Sequence, residues 1–302
     1  MFKYLVVCLA LVGVVLPSQY WQGSAVLIDD NFELEVTEVP IEFGAVDGIC
    51  SYSSQLYLAD EGSRAVRIME ASGECRTLAT AEDGIHSPEN IVRAGDGNLY
   101  FTDDDVGGLW RLSVDGGKPE NLASHLGSTE GLAVTTDGEL IVGDALGRRL
   151  IAYKLENRTV RAIDVPGLRK PESIAAAPDG RLFVADDEGN AVLCIEADGV
   201  IHKVLGRRDG LKEPDAIAFH NGTLYVIDAS TSRLLRFHEA EGLQCIAQFA
   251  GKLKNIQGIA VANSGDIYLS VQVDLQRNTG LLLRLSRKST LQPSSRLNVQ
   301  PL

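Results

Sequence analysis

The chain has 302 residues, a net charge of −13 and a hydrophobic fraction of 45%. That fraction is enough for a packed core, and an acidic balance without a basic stripe disfavours nucleic acid and anionic membrane surfaces as partners. The cysteines beyond the N-terminal segment, Cys50, Cys75, Cys194 and Cys245, lack CxxC spacing and read as small buried hydrophobes, not as a disulfide framework.

The N-terminus carries one lysine, then an apolar run from Tyr4 to Leu16, then Pro17. Such a run is short for a membrane span and suits the core of a secretory signal, with Gly23-Ser24-Ala25 offering small residues for cleavage. Residues 1–25 are therefore expected to be a signal peptide or an uncleaved anchor, and the protein to be exported, periplasmic or secreted. Membrane contact is expected only through this segment.

From residue 47 onward one frame recurs six times. Its first strands open at Asp47-Gly-Ile, Glu89-Asn-Ile, Glu130-Gly-Leu, Glu172-Ser-Ile, Asp215-Ala-Ile and Gln257-Gly-Ile, at steps of 42, 41, 42, 43 and 42 residues. The fourth copy shows the pattern best: Ile174–Ala177, an Asp179-Gly180 hairpin signal, Arg181–Ala185, then Ala191–Ile195 and Val200–Leu205. A period near 42 with four short strands and no room for crossover helices is a propeller blade. The sequence thus predicts an all-β, six-bladed propeller over residues 33–286, followed by a polar tail at 287–302. The sixth copy has three good strands, so an N-terminal strand at Phe32–Val39 is expected to complete the last blade and close the ring.

Two sets of acids recur with the frame. Asp47, Glu89, Glu130, Glu172 and Asp215 open first strands; Asp60, Asp103, Asp144, Asp186 and Asp228 close second strands. The sixth copy has Gln257 and Ser270 at the aligned positions. Two carboxylates about 8 Å apart repel by ~2 kcal/mol at an effective dielectric of ~20, so such rings must shift pKa values, pair with bases or hold a cation. The second set reads as structural, bonded to backbone and to Arg64, Arg148 or Arg149, and Arg233, with Glu61, Asp104, Asp105, Asp187 and Glu188 as solvated loop acids. The first set faces the axis. It suits Ca²⁺, then Mg²⁺ or Mn²⁺, as an all-oxygen site; the alternative is neutralisation by Arg169, Lys170, Lys212 and Lys254.

His86 and His125 precede Glu89 and Glu130 in loops that rim the same mouth, which makes them candidate general acid/base groups alongside Glu130. His202 and His238 fall on outer strands and His220 in a turn, where surface or packing roles are expected.

The strand openings PENI, TEGL, PESI, PDAI and IQGI, with the endings LYFTD and LFVAD, resemble the six-bladed propellers grouped around regucalcin/gluconolactonase, paraoxonase, strictosidine synthase and NHL-repeat proteins. In its lactonase branches this resemblance implies a divalent metal, usually Ca²⁺, held by first-strand acids. The matching positions are Asp47, Glu89, Glu130, Glu172, Asp215 and Gln257. It also implies a hydrolase acting on a small lactone or ester, and the protein is expected to be a monomer. The rival reading is a non-catalytic propeller that binds a protein or cationic ligand through its acidic face.

Overall fold

The computed structural model describes residues 2–5, 25–37, 44–274 and 279–288. The apolar N-terminal run beyond residue 5 and the tail beyond residue 288 lie outside the described residues. Among the described residues the regular structure is strands and short 3-10 turns, and no helix is long and apolar enough to cross a membrane.

Each of the first five copies of the repeat folds as an antiparallel four-stranded meander, and the sixth contributes three strands. Blade one runs Val46–Tyr52, Gln55–Asp60, Ala65–Met69 and Cys75–Ala79, and blade four Pro171–Ala176, Leu182–Asp186, Ala191–Ile195 and Ile201–Leu205. First strands touch their neighbours around the whole circle, and Ile256–Val261 of blade six lies against Val46–Tyr52 of blade one. That closure makes a ring of six blades around a channel.

The packing explains the sequence pattern. Second and third strands are covered on both faces, so Leu182–Asp186 and Ala191–Ile195 are buried throughout and read as continuous apolar runs. Fourth strands form the rim; in blade three, Thr159–Arg161 and Ala162 are exposed. The core is divided into six apolar clusters, one for each pair of adjoining blades. Tyr57, Ile68 and Phe101 join blades one and two, and Leu58, Met69 and Leu282 join blade one to blade six. Burying a large side chain such as Phe101 contributes about 1.5–3 kcal/mol, so each interface fastens two blades with several such groups.

N-terminal residues serve two blades. Phe32–Thr37 pairs antiparallel with Thr279–Arg287 on the outside of blade six, with Phe32 opposite Arg287 and Thr37 opposite Leu282. Ala25–Asp29 pairs with Gly242–Ala250 as a fifth strand of blade five, and Phe2–Leu5 pairs outside it. No strand was expected before Phe32; Ala25–Asp29 covers the long outer strand of blade five and buries Val26 and Ile28 there.

The register corrects one alignment. Pro88 pairs with Asp103 and Pro171 with Asp186, and the corresponding partner of Ile256 is Val271, not Ser270. Blade six therefore ends the equivalent strand position on an apolar residue, and Ser270 stands where blade two has Thr102.

Candidate metal centre at the channel mouth

All six first strands carry a bulge near their opening, for example between Val46 and Gly48, Pro88 and Ile91, and Pro171 and Ser173. Each ring residue is unpaired in its bulge, and in blades two, three, five and six the residue after it is unpaired too. A bulge adds a residue to one strand, bends it and re-aims a side chain. Here it turns Asp47, Glu89, Glu130, Glu172, Asp215 and Gln257 onto one cavity of about 80 Å³, which Asn90, Ser173 and Ala216 also line. Side chains roughly forty residues apart in sequence thus share one small volume.

The bulges leave backbone groups to satisfy, and hydroxyls of the second and first strands do so across blades. Thr102 Oγ1 accepts from the Asn90 amide at 3.0 Å and donates to the Glu130 carbonyl at 2.9 Å. Ser270 Oγ accepts from the Gly258 amide at 2.8 Å and donates to the Val46 carbonyl. Adjacent first strands approach so closely that a Cβ on Gly48 would lie 2.5 Å from the Glu89 carbonyl oxygen, and one on Gly258 2.4 Å from that of Asp47. The glycine after Asp47 and after Gln257 is therefore a packing requirement of the ring.

The electrostatics follow from burial and convergence. Glu130 is pushed up to about 7 by burial, then by Glu172 and Asp104. Asp215 is pushed up to about 8 by burial, then by Glu172 and Asp187. Glu89 is pushed up to about 10 by burial, then by Asp47 and Glu130. Asp47 is raised well above the usual carboxylate range by burial and by Glu61, Asp215 and Glu130. Glu172 is raised by burial although Lys170 works against it.

Of the four bases expected to neutralise the ring, Lys170 does so. Its Nζ lies 2.9 Å from Glu172 Oε1 and 3.6 Å from Asp187 Oδ2. Burial works to lower the Lys170 ammonium, but the bond to Glu172 and the surrounding carboxylates outweigh it, and the net shift is upward. Among the described residues no ion pair joins Arg169, Lys212 or Lys254 to a ring acid. Asp47 Oδ2 and Glu172 Oε2 are buried without a hydrogen-bond partner. Buried oxygens of that kind are costly unless a positive group meets them, and a set of carboxylate and amide oxygens in a cavity of this size fits a hard divalent cation.

Beneath the acids the channel widens to about 260 Å³, lined by Ile49, Val92, Val134, Ala175, Ala218 and Val261 among others. Asp47, Ser51, Asn90, Arg93 and Ser173 line it as well, so the bore is mixed in polarity.

Comparison with known proteins bears on this architecture. A family model described as strictosidine synthase-like, N-terminal, matches residues 76–112 and 158–192, two segments that begin two blades apart. A streptogramin B lyase is 14% identical over 85% of this chain and 98% of its own, with a TM-score of 0.66. A gluconolactonase from Xanthomonas campestris is 14% identical over 87% of this chain and 90% of its own, TM-score 0.66. A luciferin-regenerating enzyme is 12% identical over 85% and 96%, TM-score 0.68. No curated protein sequence matches the chain. The chain shares their six-bladed propeller fold. At these identities the likeness speaks for the fold alone.

Within the propeller, the remaining site expectations divide. The second set of acids is buried at 0–2% exposure and structural. Asp60 accepts from the Gly44 and Ser63 amides and from Arg67 Nε at 2.9 Å. Asp186 accepts from the amides of Arg169, Lys170 and Gly189, and Asp228 from those of Lys212 and Glu213. Arg149 and Arg233 pair with Asp144 and Asp228. In blade one, however, the partner is Arg67, not Arg64; Arg64 sits in the turn at φ 51°, while Arg67 projects back from the third strand.

His86 and His125 are exposed in their loops and are not among the residues lining the cavity. The His86 backbone amide donates to Asp103 Oδ2 at 2.8 Å, which anchors the loop and leaves the ring outside.

Three acids read as solvated loop form a second tier. Glu61 accepts from Ser87 Oγ at 2.9 Å, Asp104 from Ser128 Oγ at 2.8 Å, and Asp187 faces Lys170. All three are half-buried. The signal for this tier lay two residues before each ring acid: Ser87-Pro-Glu89, Ser128-Thr-Glu130 and Lys170-Pro-Glu172.

Proposed function

We propose that this propeller is an exported hydrolase that holds a divalent cation, Ca²⁺ by preference, and opens a lactone or ester at the acidic mouth. The observation that carries this reading is the set of five carboxylates from five blades on one small cavity, two of whose buried oxygens have no protein partner. Asp47, Glu89, Glu130, Glu172 and Asp215 would hold the ion, with Gln257 and Asn90 as neutral oxygens beside them. When bound, the cation supplies Lewis-acid polarisation of the substrate carbonyl oxygen. Glu130, a ring carboxylate on the cavity, would accept the proton of the attacking water. Lys170 fixes Glu172 in place. The apolar N-terminal run and the small residues at 23–25 support export.

The test is metal analysis of the purified protein together with turnover on a panel of lactones and aryl esters. Bound Ca²⁺, a chelator-sensitive melting temperature and a fall in turnover of about 10²–10⁴ in Glu130→Gln are expected. Protein without metal, indifferent to chelator and inert on every ester, overturns the proposal.

A second reading rests on size. A cavity of about 80 Å³ is small beside the ~300 Å³ or more of ordinary small-molecule sites. It would hold a cation, or a cationic side chain presented by a partner, without a substrate. Charge reversal at Glu61 and Asp104 then abolishes partner binding while hydrolysis is absent from the start.

A further inference from the structure

The outer half of blade four carries a second cluster, different in chemistry from the acidic ring. Cys194 lies on the third strand, Ala191–Ile195, and His202 directly opposite it on the fourth strand, Ile201–Leu205. The hairpin turn between them is closed by the Glu196 amide donating to the Val200 carbonyl at 2.8 Å. Side chains alternate along a strand, so Cys194 and Glu196, two apart, and His202, the cross-strand partner of Cys194, share one face of that hairpin.

On that face Cys194 Sγ donates to Glu196 Oε1 at 3.7 Å, and His202 Nδ1 lies 3.7 Å from the same oxygen. One ligand atom from each of the three residues falls within 4.8 Å of the others. The cysteine is fully buried, whereas the His202 and Glu196 side chains are 49% and 35% exposed. The sulfur therefore forms the floor of the cluster, and the imidazole and carboxylate form an entrance from solvent. The neighbouring cation, Arg181, is already held by Asp179 at 2.9 Å and Glu239 at 2.6 Å, so its charge is matched.

We propose that Cys194, Glu196 and His202 bind a zinc ion, as a three-ligand sulfur–nitrogen–oxygen site with its fourth position open to solvent. A thiolate, an imidazole and a carboxylate are the donor types Zn²⁺ takes, and this mixed soft set distinguishes the site from the all-oxygen ring that suits Ca²⁺. Three protein ligands with an open position are the count of a site that exchanges or activates a ligand, whereas structural zinc is closed by four. All three residues belong to one hairpin whose register is fixed by the blade. Burial and the Glu196 carboxylate push the Cys194 thiol up to about 12, so the sulfur keeps its proton until metal arrives. Binding then exchanges that proton for the sulfur–zinc bond, and the proton leaves to solvent.

The experiment uses the full chain after chelator treatment, titrated with Co²⁺ as a spectroscopic stand-in and then with Zn²⁺. A thiolate-to-cobalt charge-transfer band that saturates at a single equivalent and is displaced by Zn²⁺ is expected. The oxygen ring cannot produce that band, so the two sites are read separately. Cys194→Ala abolishes the band, and His202→Ala weakens Co²⁺ binding by at least about tenfold, the minimum lost when even an outer partner of a metal ligand is removed. His202 is half exposed, so its replacement leaves the fold intact even if Cys194→Ala loosens the core. A wild-type spectrum without the thiolate band, a band that survives Cys194→Ala, or an affinity unchanged in His202→Ala overturns the proposal.

Discussion

Each ring carboxylate is placed by a bulge and made reluctant to ionise by its burial and its neighbours. Glu89 shows the consequence most directly, since its value of about 10 means that folding without a cation must protonate a group that is charged in the unfolded chain near neutral pH. Glu89→Gln removes that cost while keeping the shape. It is expected to stabilise the cation-free protein by about 1–3 kcal/mol near neutral pH and to weaken Ca²⁺ binding, as chemical denaturation and calorimetry would show. A loss of stability in the variant would mean that the carboxylate already has a positive partner. Glu172 differs from its ring mates because Lys170 sits 2.9 Å away, in a Lys-Pro-Glu triplet. That pairing was among the alternatives legible in the sequence. The silence of Arg169, Lys212 and Lys254 was not, because a side chain's direction depends on how its loop enters the strand.

At the scale of the strand and its loop, the closing aspartates act as clasps. Asp60 gathers two backbone amides from separate segments and the guanidinium of Arg67, with its own side chain wholly buried. Asp60→Asn keeps the volume but cannot match all three donors as an anion, and it leaves a nearly buried arginine without its counter-ion. A loss of about 3–5 kcal/mol is expected from urea denaturation. A change under about 1 kcal/mol would show that the clasp is redundant. The pattern of an aspartate ending five second strands was visible in the sequence, and so was its structural role. The choice of arginine was visible only in part. Arg149 and Arg233 open third strands beside the acid, while Arg67 reaches back from inside the strand, a geometry that linear distance does not reveal.

For the whole molecule, the ring couples stability to pH. An acid whose folded value is raised binds more protons in the native than in the unfolded state over the interval between the two values, so stability falls as pH rises through it. For Glu130 that interval runs from 4.5 to about 7 and for Asp215 from 3.8 to about 8. The melting temperature of chelator-treated protein is therefore expected to decline between about pH 4 and pH 8. The gain on adding Ca²⁺ is expected to grow over the same range, because the cation binds the ionised ring. A melting temperature that climbs steadily through this interval in chelator would show that the acids are not buried together. Six apolar clusters, one between each pair of blades, resist the repulsion at the mouth and keep the ring closed while its charge changes.

Some of this was settled by the chain's linear order. A repeat of 42 residues, short apolar runs and Asp-Gly or similar turns leave few ways to bury both faces of every inner strand, and a ring of blades is the one that also brings the repeated acids together. Periodicity is a local property copied six times, so it survives without coordinates. Other features needed the tertiary structure. Bulges at every first strand aim the acids and bring Asn90 onto the cavity; the register puts Val271, not Ser270, in the place of an aspartate. The Ser87, Ser128 and Lys170 side chains recruit Glu61, Asp104 and Asp187 into a second tier, and His202 comes to stand across from Cys194. Each of these depends on which residue lies opposite which, and a shift of one position along a strand reverses the answer.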